Sequence, residues 1–101
     1  MKLKIYQIPL EKDARRLAFM GMRFTLEHGG VDPREYELVF EGEIEAKDLE
    51  DVYVIFNNYA EMPADYKGRS LSVSDVVVTD RGAFFCDTYG FLKLLEWEAT
   101  V

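Results

Sequence analysis

The chain has 101 residues, of which 49% are hydrophobic and 14% aromatic, and this is enough to build one core without stabilising disulfides or metal ions. One Cys and one His exclude an internal disulfide and argue against a Cys/His metal cluster, and the apolar runs are far shorter than the roughly 20 residues of a membrane span. We therefore expect a single domain over residues 1–101 in a reducing cytoplasm, without a cofactor, a signal peptide or a membrane segment.

The net charge of −7 comes from one part of the chain. Residues 35–51 contain eight acidic side chains against a single base, Lys47, whereas acids and bases cancel in the rest of the sequence. This balance disfavours direct binding to nucleic acid, because such binding needs a basic surface that displaces counterions from phosphates. It allows a protein partner with a basic, nucleic-acid-binding surface.

The first half of the chain predicts one strand and one helix. Residues 2–8 alternate in the manner of a strand, which Pro9 ends. In residues 14–27 the apolar side chains fit more than one helical spacing, so the pattern there is ambiguous. There we expect an extended piece around Arg15–Phe19 and a helix over roughly Met20–His28, stopped by two glycines.

The clearest predicted strand is Tyr36–Ile44, where even positions are mostly apolar and odd positions are glutamates except at Val39. Strict alternation places the apolar side chains on the core and all the glutamates on the opposite face. Asp48 is expected to cap the next helix. The apolar stripe of that helix comprises Leu49, Val52, Tyr53 and Phe56.

The last third of the chain predicts strands joined by turns. After a loop over Tyr59–Arg69, we expect an extended segment Ser70–Thr79 that bends at Ser74, then strands over Ala83–Asp87 and Phe91–Leu95. The order of elements predicts an α+β fold, with a small, mainly antiparallel sheet of about four to five strands and two short helices.

Four segments of the sequence form a distinctive set. They are IYQI at Ile5–Ile8, YELVFEG at Tyr36–Gly42, LEDVYVIFN at Leu49–Asn57, and PADYKGRSLSVSDVVV followed by FFCDTYGF within Pro63–Phe91. In order and spacing they resemble the YodL-like domain family over nearly the whole chain, and SLSVSDVVV is the most specific block. The region Glu11–Gly30 matches least.

The resemblance implies a bacterial cytoplasmic accessory protein. Domains of this family look common in proteins of conjugative elements and phages, either alone or inside large polyvalent proteins. One stand-alone relative is associated with interference with the bacterial actin-like cytoskeleton. No active site of the family can be carried over, so the resemblance implies a kind of protein and no reaction.

Candidate catalytic groups are few. Ser74 and Asp75 could supply a nucleophile and an acid, but a Ser hydrolase also needs a base, and the only His is His28 in the least typical region. We interpret Ser74 and Asp75 as a turn closed by side-chain hydrogen bonds, and we place Asp80 and Asp87 on turns rather than around a metal. Cys86, in an apolar strand, is expected to be buried and inert.

Two surfaces are the candidate contact sites for a partner. The first is a loop with basic residues and one Gly, which could receive an anion through its backbone N–H groups. Its residues are Asp65, Tyr66, Lys67, Arg69 and Ser70. The second is the acidic face of the predicted strand and the following helical turn. Its residues are Glu35, Glu37, Glu41, Glu43, Glu45, Asp48, Glu50 and Asp51.

These observations lead to three functional hypotheses. The first is a non-enzymatic inhibitor from a mobile element that acts in counter-defence, of the anti-CRISPR or anti-restriction type, by docking its acidic face on the basic groove of a nuclease. The second is a modulator that binds a bacterial actin-like cytoskeletal protein, through the loop that begins at Asp65. The third is a small enzyme of unknown reaction that uses Ser74 or Asp75.

Overall fold

The computed structural model describes residues 1–97, so the last four residues of the expected domain lie outside the described residues. Five strands and two α-helices form. They are β1 (Lys2–Gln7), α1 (Met22–Glu27), β2 (Glu37–Glu43), α2 (Leu49–Ile55), β3 (Val76–Thr79), β4 (Gly82–Cys86) and β5 (Phe91–Leu94). Short 3₁₀ turns occupy Leu10–Lys12 and Pro33–Glu35. The predicted α+β fold with two short helices is confirmed.

All five strands belong to one sheet in the order β2-β1-β3-β4-β5, and every neighbouring pair is antiparallel. β1, β3 and β4 lie inside the sheet and hold most of its buried side chains. β2 and β5 form the two edges. The glutamates of β2 therefore lie on an edge strand, where charged side chains discourage pairing with another chain.

The core is divided between the two faces of the sheet. On one face, Val52 of α2 and Phe56 at its C-terminal end pack in one cluster with Ile5 and Val77. On the other face, Tyr6 and Phe85 belong to a second cluster, against which side chains from α1 and the loops pack. None of the helices in residues 1–97 has the length and apolar character needed to cross a membrane.

The segment before α1 differs from the prediction. The expected extended piece over Arg15–Phe19 is wrong, because the backbone reverses there with positive φ angles of 58° at Arg16 and 70° at Phe19. The carboxylate of Asp13 accepts hydrogen bonds from the N–H groups of Leu17 and Ala18 at 2.9 and 3.0 Å. These bonds satisfy the backbone locally, so the segment needs no neighbouring strand.

The long extended segment predicted before the hairpin is also shorter in the structure. Only Val76–Thr79 pairs as a strand, because Ser74 adopts a positive φ of 86° and the chain turns there. The Asp75 N–H group donates to the Ser72 carbonyl at 3.0 Å, which closes the turn. The interpretation of Ser74 and Asp75 as a turn is confirmed, although the turn is tighter than a simple bend.

Candidate functional site

The acidic face predicted on β2 is interrupted by a β-bulge. Ile5 pairs with Phe40 whereas the next residue of β1, Tyr6, pairs with Leu38, so Val39 has no partner of its own. An unpaired residue reverses which face of the sheet each later side chain reaches. The prediction that all the glutamates share one face is therefore wrong.

Cross-strand partners show where each glutamate lies. Glu41 is opposite Lys4 and Glu43 is opposite Lys2, on the face of the sheet that also carries Tyr6. Glu37 is opposite Gln7 and lines a groove on the other face together with Lys67 and Arg69. The bulge thus separates Glu37 from Glu41 and Glu43.

The two ends of the acidic segment have structural partners. Glu35 lies in a 3₁₀ turn before β2, and its carboxylate accepts a hydrogen bond from Arg15 Nη2 at 2.6 Å. Asp48 caps α2 as predicted by accepting from the Asp51 N–H group at 2.9 Å, and Asp51 in turn accepts from the Lys47 N–H group at 3.0 Å. Glu35 and Asp51 are half-buried in these contacts.

From Glu41 to Glu50 five acidic residues, including the cap residue Asp48, are exposed; Glu41 and Glu43 lie on the face of the sheet that carries Tyr6, whereas α2 covers the opposite face. We call this set the acidic surface, and its residues are Glu41, Glu43, Glu45, Asp48 and Glu50. One ion pair of the described chain involves it, between Lys4 Nζ and Glu41 at 3.9 Å, and such exposed pairs stabilise a fold by less than about 1 kcal/mol. The acidic surface therefore carries charge that the fold itself uses little.

The loop proposed as a contact surface is only partly available to a partner. Asp65 and Lys67 are exposed, whereas Ser70 is half-buried. The Tyr66 hydroxyl donates a hydrogen bond to the Arg69 carbonyl. Arg69 Nη2 donates to a backbone carbonyl at 2.9 Å, and its guanidinium carbon lies 5.0 Å from the ring centroid of Phe19. Tyr66 and Arg69 are half-buried and hold the loop to the body of the protein, and their contact with a partner stays a prediction.

The side chain that joins this loop to the sheet is Gln7, which the sequence analysis did not single out. Gln7 is 2% exposed, and its Nε2 donates to the Arg69 carbonyl and to Asp75 Oδ2, both at 2.9 Å. Its Oε1 accepts from the Arg69 N–H group at 3.2 Å. The signal was present in the sequence, since Leu3, Ile5 and Gln7 share one strand face and a polar residue in such a row needs buried partners.

Asp75 is the charged centre of the same cluster. It is 0% exposed, its Oδ2 also accepts from the Ser72 N–H group at 2.8 Å, and its Oδ1 lies 3.9 Å from Arg69 Nη2. Burial raises the pKa of Asp75 to about 7, against the lowering effect of the Ser72, Gln7 and Arg69 contacts. We call Gln7, Tyr66, Arg69 and Asp75 the buried polar cluster.

Gly68 shows how closely the loop approaches this cluster. A Cβ atom at Gly68 would lie 2.5 Å from Gln7 Oε1 and 2.8 Å from the Tyr66 hydroxyl. Both distances are below any normal contact with carbon, so a side chain would displace the hydrogen-bonded groups. The single Gly of the loop is therefore explained by close packing, and an anion site is not needed to account for it.

The groups considered for catalysis have local structural partners. Ser74 Oγ accepts from the Phe19 N–H group at 3.0 Å, and the ring of His28 stacks on Phe24 with centroids 4.0 Å apart. Cys86 is buried as predicted, and burial raises the pKa of its thiol to about 12. Asp87 Oδ1 accepts from the Met22 N–H group at 2.9 Å. Within residues 1–97 no three His, Cys, Asp or Glu side chains are grouped to hold a metal ion.

These observations define a small α+β domain in which a buried polar cluster fixes one loop and an acidic surface is left exposed. The family model for the YodL-like domain matches residues 2–97, and the chain belongs to this family. Comparisons with curated proteins and with solved structures found no match. The two blocks of the sequence that meet in the buried polar cluster, at Gln7 and at residues 66–75, are among those that carry the family resemblance.

Proposed function

We propose that this protein acts in the bacterial cytoplasm by binding another protein through its acidic surface, without catalysing a reaction. The observation that carries the proposal is the concentration of the net charge in residues 35–51, together with the exposure of six of those acids, five of them in the acidic surface. Charge that is exposed and lightly paired adds little to stability, whereas it accelerates association with an oppositely charged partner.

The partner that fits this surface best is a protein with a basic groove for nucleic acid. In a mobile element, such a partner would be a host nuclease, and the protein would be a counter-defence inhibitor of the anti-CRISPR or anti-restriction type. The edge position of β2 supports this form of binding, because carboxylates on an edge strand and on the adjacent turn reach past the sheet. They would occupy the positions of phosphates in the groove.

The test begins with the partner, isolated from the native host by affinity purification and identified by mass spectrometry. Its association rate is then measured with two variants that lose the same charge. The first combines Glu41→Gln, Glu43→Gln and Glu45→Gln in the acidic surface. The matched control combines Glu11→Gln, Glu27→Gln and Glu96→Gln, which are exposed acids outside residues 35–51.

We expect the acidic-surface variant to associate about tenfold more slowly at low salt and the control variant to change by less than about twofold, because steering depends on charges near the contact. Equal rates for the two variants would rule out the acidic surface as the contact. The counter-defence form requires in addition that expression protects an infecting phage from the host nuclease, and that the acidic-surface variant loses this protection.

The other two hypotheses stay predictions. Binding to an actin-like cytoskeletal protein would use the loop that begins at Asp65, of which Asp65 and Lys67 are exposed, and cell rounding on expression that disappears with Lys67→Glu would favour it. A small enzyme would require a measured activity that Ser74→Ala abolishes while the fold is kept. No contact among residues 1–97 favours either of them over binding through the acidic surface.

A further inference from the structure

A groove lies beside α2 on the face of the sheet that this helix covers. The larger part, about 650 Å³, lies between the first turn of α2 and the β3–β4 hairpin, and the smaller part, about 230 Å³, lies between α2 and the β4–β5 turn. Glu50 and Phe91 line both parts, so the two are adjacent. The groove is separate from the buried polar cluster.

The groove exists because α2 is too small to cover the whole sheet. Five strands spaced by about 4.8 Å make a sheet about 19 Å wide between the outer strand axes, whereas a helix is only about 10 Å across. α2 packs over the β1 and β3 side chains Leu3, Ile5 and Val77. Phe84 on β4 and Phe91 on the edge strand β5 are consequently left half-buried and form an aromatic floor.

The wall of the groove is part of the acidic surface. Asp48 and Glu50 line it from α2, and Asp80 and Asp87 line it from the two hairpins, against the bases Lys47 and Arg81. Glu50 is exposed and stands where both parts of the groove meet. An aromatic floor beside exposed carboxylates fits a segment that carries both apolar side chains and Arg or Lys, since Arg also interacts favourably with aromatic rings.

We infer that this groove binds a short extended segment of the partner, in which basic residues alternate with apolar ones. This inference rests on the proposed function: the acidic surface attracts the basic partner, and the groove supplies the apolar contact that holds it. The apolar anchors would cover Phe84 and Phe91 while a cationic side chain pairs with Glu50. An aromatic floor surrounded by polar groups is typical of the centre of a protein interface.

The probe is the synthetic peptide Arg-Phe-Arg-Leu-Arg, added to the full chain labelled with ¹⁵N and followed by amide chemical shifts. Two control peptides separate the contributions of charge and apolar contact: Arg-Gly-Arg-Gly-Arg lacks the anchors, and Glu-Phe-Glu-Leu-Glu reverses the charge. We expect shifts at Glu50, Phe84 and Phe91 with the first peptide, and affinities at least about tenfold lower for both controls.

A matched pair of variants locates the contact. Glu50→Arg and Glu45→Arg make the same charge reversal at exposed positions, but Glu45 does not line the groove. We expect Glu50→Arg to weaken binding of the basic-apolar peptide about tenfold and Glu45→Arg by less than about threefold, because close charge pairs contribute far more than distant ones.

Three results would overturn the inference: absence of shifts at the groove, equal binding of the two Arg peptides, or equal effects of the two variants. Equal binding would mean that charge alone attracts the peptide. The proposed function fails separately, when Glu41→Gln, Glu43→Gln and Glu45→Gln together leave association with the partner unchanged. The groove inference can therefore fail while the acidic surface is still found to bind the partner.

Discussion

The buried polar cluster and the acidic surface use polar side chains in opposite ways. In the buried polar cluster every member bonds to another part of the chain, and the one side chain of Gln7 joins the loop backbone to Asp75. In the acidic surface, Glu41 has one long ion pair and Asp48 caps a helix. The comparison teaches that buried polar groups hold this fold together, whereas its exposed charges are available for a partner.

The largest effect is expected from breaking the buried polar cluster. Gln7→Leu keeps the volume of the side chain but leaves Asp75 Oδ2 and both backbone groups of Arg69 without their amide partner. Because each buried group that loses its hydrogen bond costs about 1–3 kcal/mol, we expect the free energy of unfolding to fall by about 3 kcal/mol in urea denaturation. Asp65→Leu, on the exposed part of the loop, serves as the control and should change it by less than about 0.5 kcal/mol. A loss below about 1 kcal/mol in Gln7→Leu would contradict the comparison.

A somewhat smaller loss is expected when a side chain is added at Gly68. Gly68→Ala places a Cβ against Gln7 Oε1, the Tyr66 hydroxyl and Val39 Cγ2, at 2.5, 2.8 and 2.9 Å. Overpacking of this kind costs about 1–3 kcal/mol, so we expect the thermal midpoint to fall by several degrees. The neighbouring Lys67→Ala should leave the midpoint unchanged. If Gly68→Ala were as stable as Lys67→Ala, the loop would not be held tightly against Gln7.

A pH dependence is expected from Asp75. Its pKa in the folded protein, about 7, lies above the ordinary value of 3.8, so the folded state keeps a proton that the unfolded state has released. The stabilisation that protonated Asp75 provides is therefore complete below pH 3.8, the ordinary pKa of the carboxyl group, and it is lost as the pH rises through 7. Between about pH 5 and pH 8 we expect the free energy of unfolding to fall by roughly 2 kcal/mol more in the native protein than in Asp75→Asn. Parallel pH profiles for the two proteins would show that Asp75 does not titrate in this range.

The smallest effect on stability is expected from the acidic surface. Replacing Glu41, Glu43 and Glu45 by Gln removes repulsion between neighbouring carboxylates and one weak ion pair. These contributions are small and of opposite sign, so the free energy of unfolding should stay within about 0.5 kcal/mol of the native value. If the free energy of unfolding, measured by urea denaturation, fell by more than about 1 kcal/mol, these side chains would stabilise the fold. The contrast with the buried polar cluster would then be wrong.

Much of the fold could be predicted from the sequence, because the spacing of hydrophobic residues and the positions of turn residues determine local secondary structure. The strands, α2 and its Asp48 cap followed from such patterns. The segment before α1 did not, since the Asp13 side chain replaces the backbone partners that a strand would need. Local spacing contains no information about which distant group completes a hydrogen bond, and for this reason the contacts between Gln7 and the loop were not anticipated.

The candidate site was predicted less well than the fold. One residue accounts for most of the difference: Val39 interrupts the alternation of glutamates, and in the structure it is the bulged residue that moves Glu37 to the other face. The position of apolar Val39 among the glutamates was the feature of the sequence that indicated the bulge. The direction of Tyr66 and Arg69 had no such sign, because both are common in exposed loops and their partners, among them Gln7 and Asp75, are distant in the sequence.

The most direct test of the central claim is the dependence of the association rate on salt, measured with the purified partner. The native protein should associate more slowly as the salt concentration rises from about 0.05 to 0.5 M, because screening shortens the reach of its exposed carboxylates. The variant with Gln at Glu41, Glu43 and Glu45 should begin slower and depend much less on salt. If the two proteins show the same rates and the same salt dependence, the acidic surface is not the part of the molecule that finds the partner.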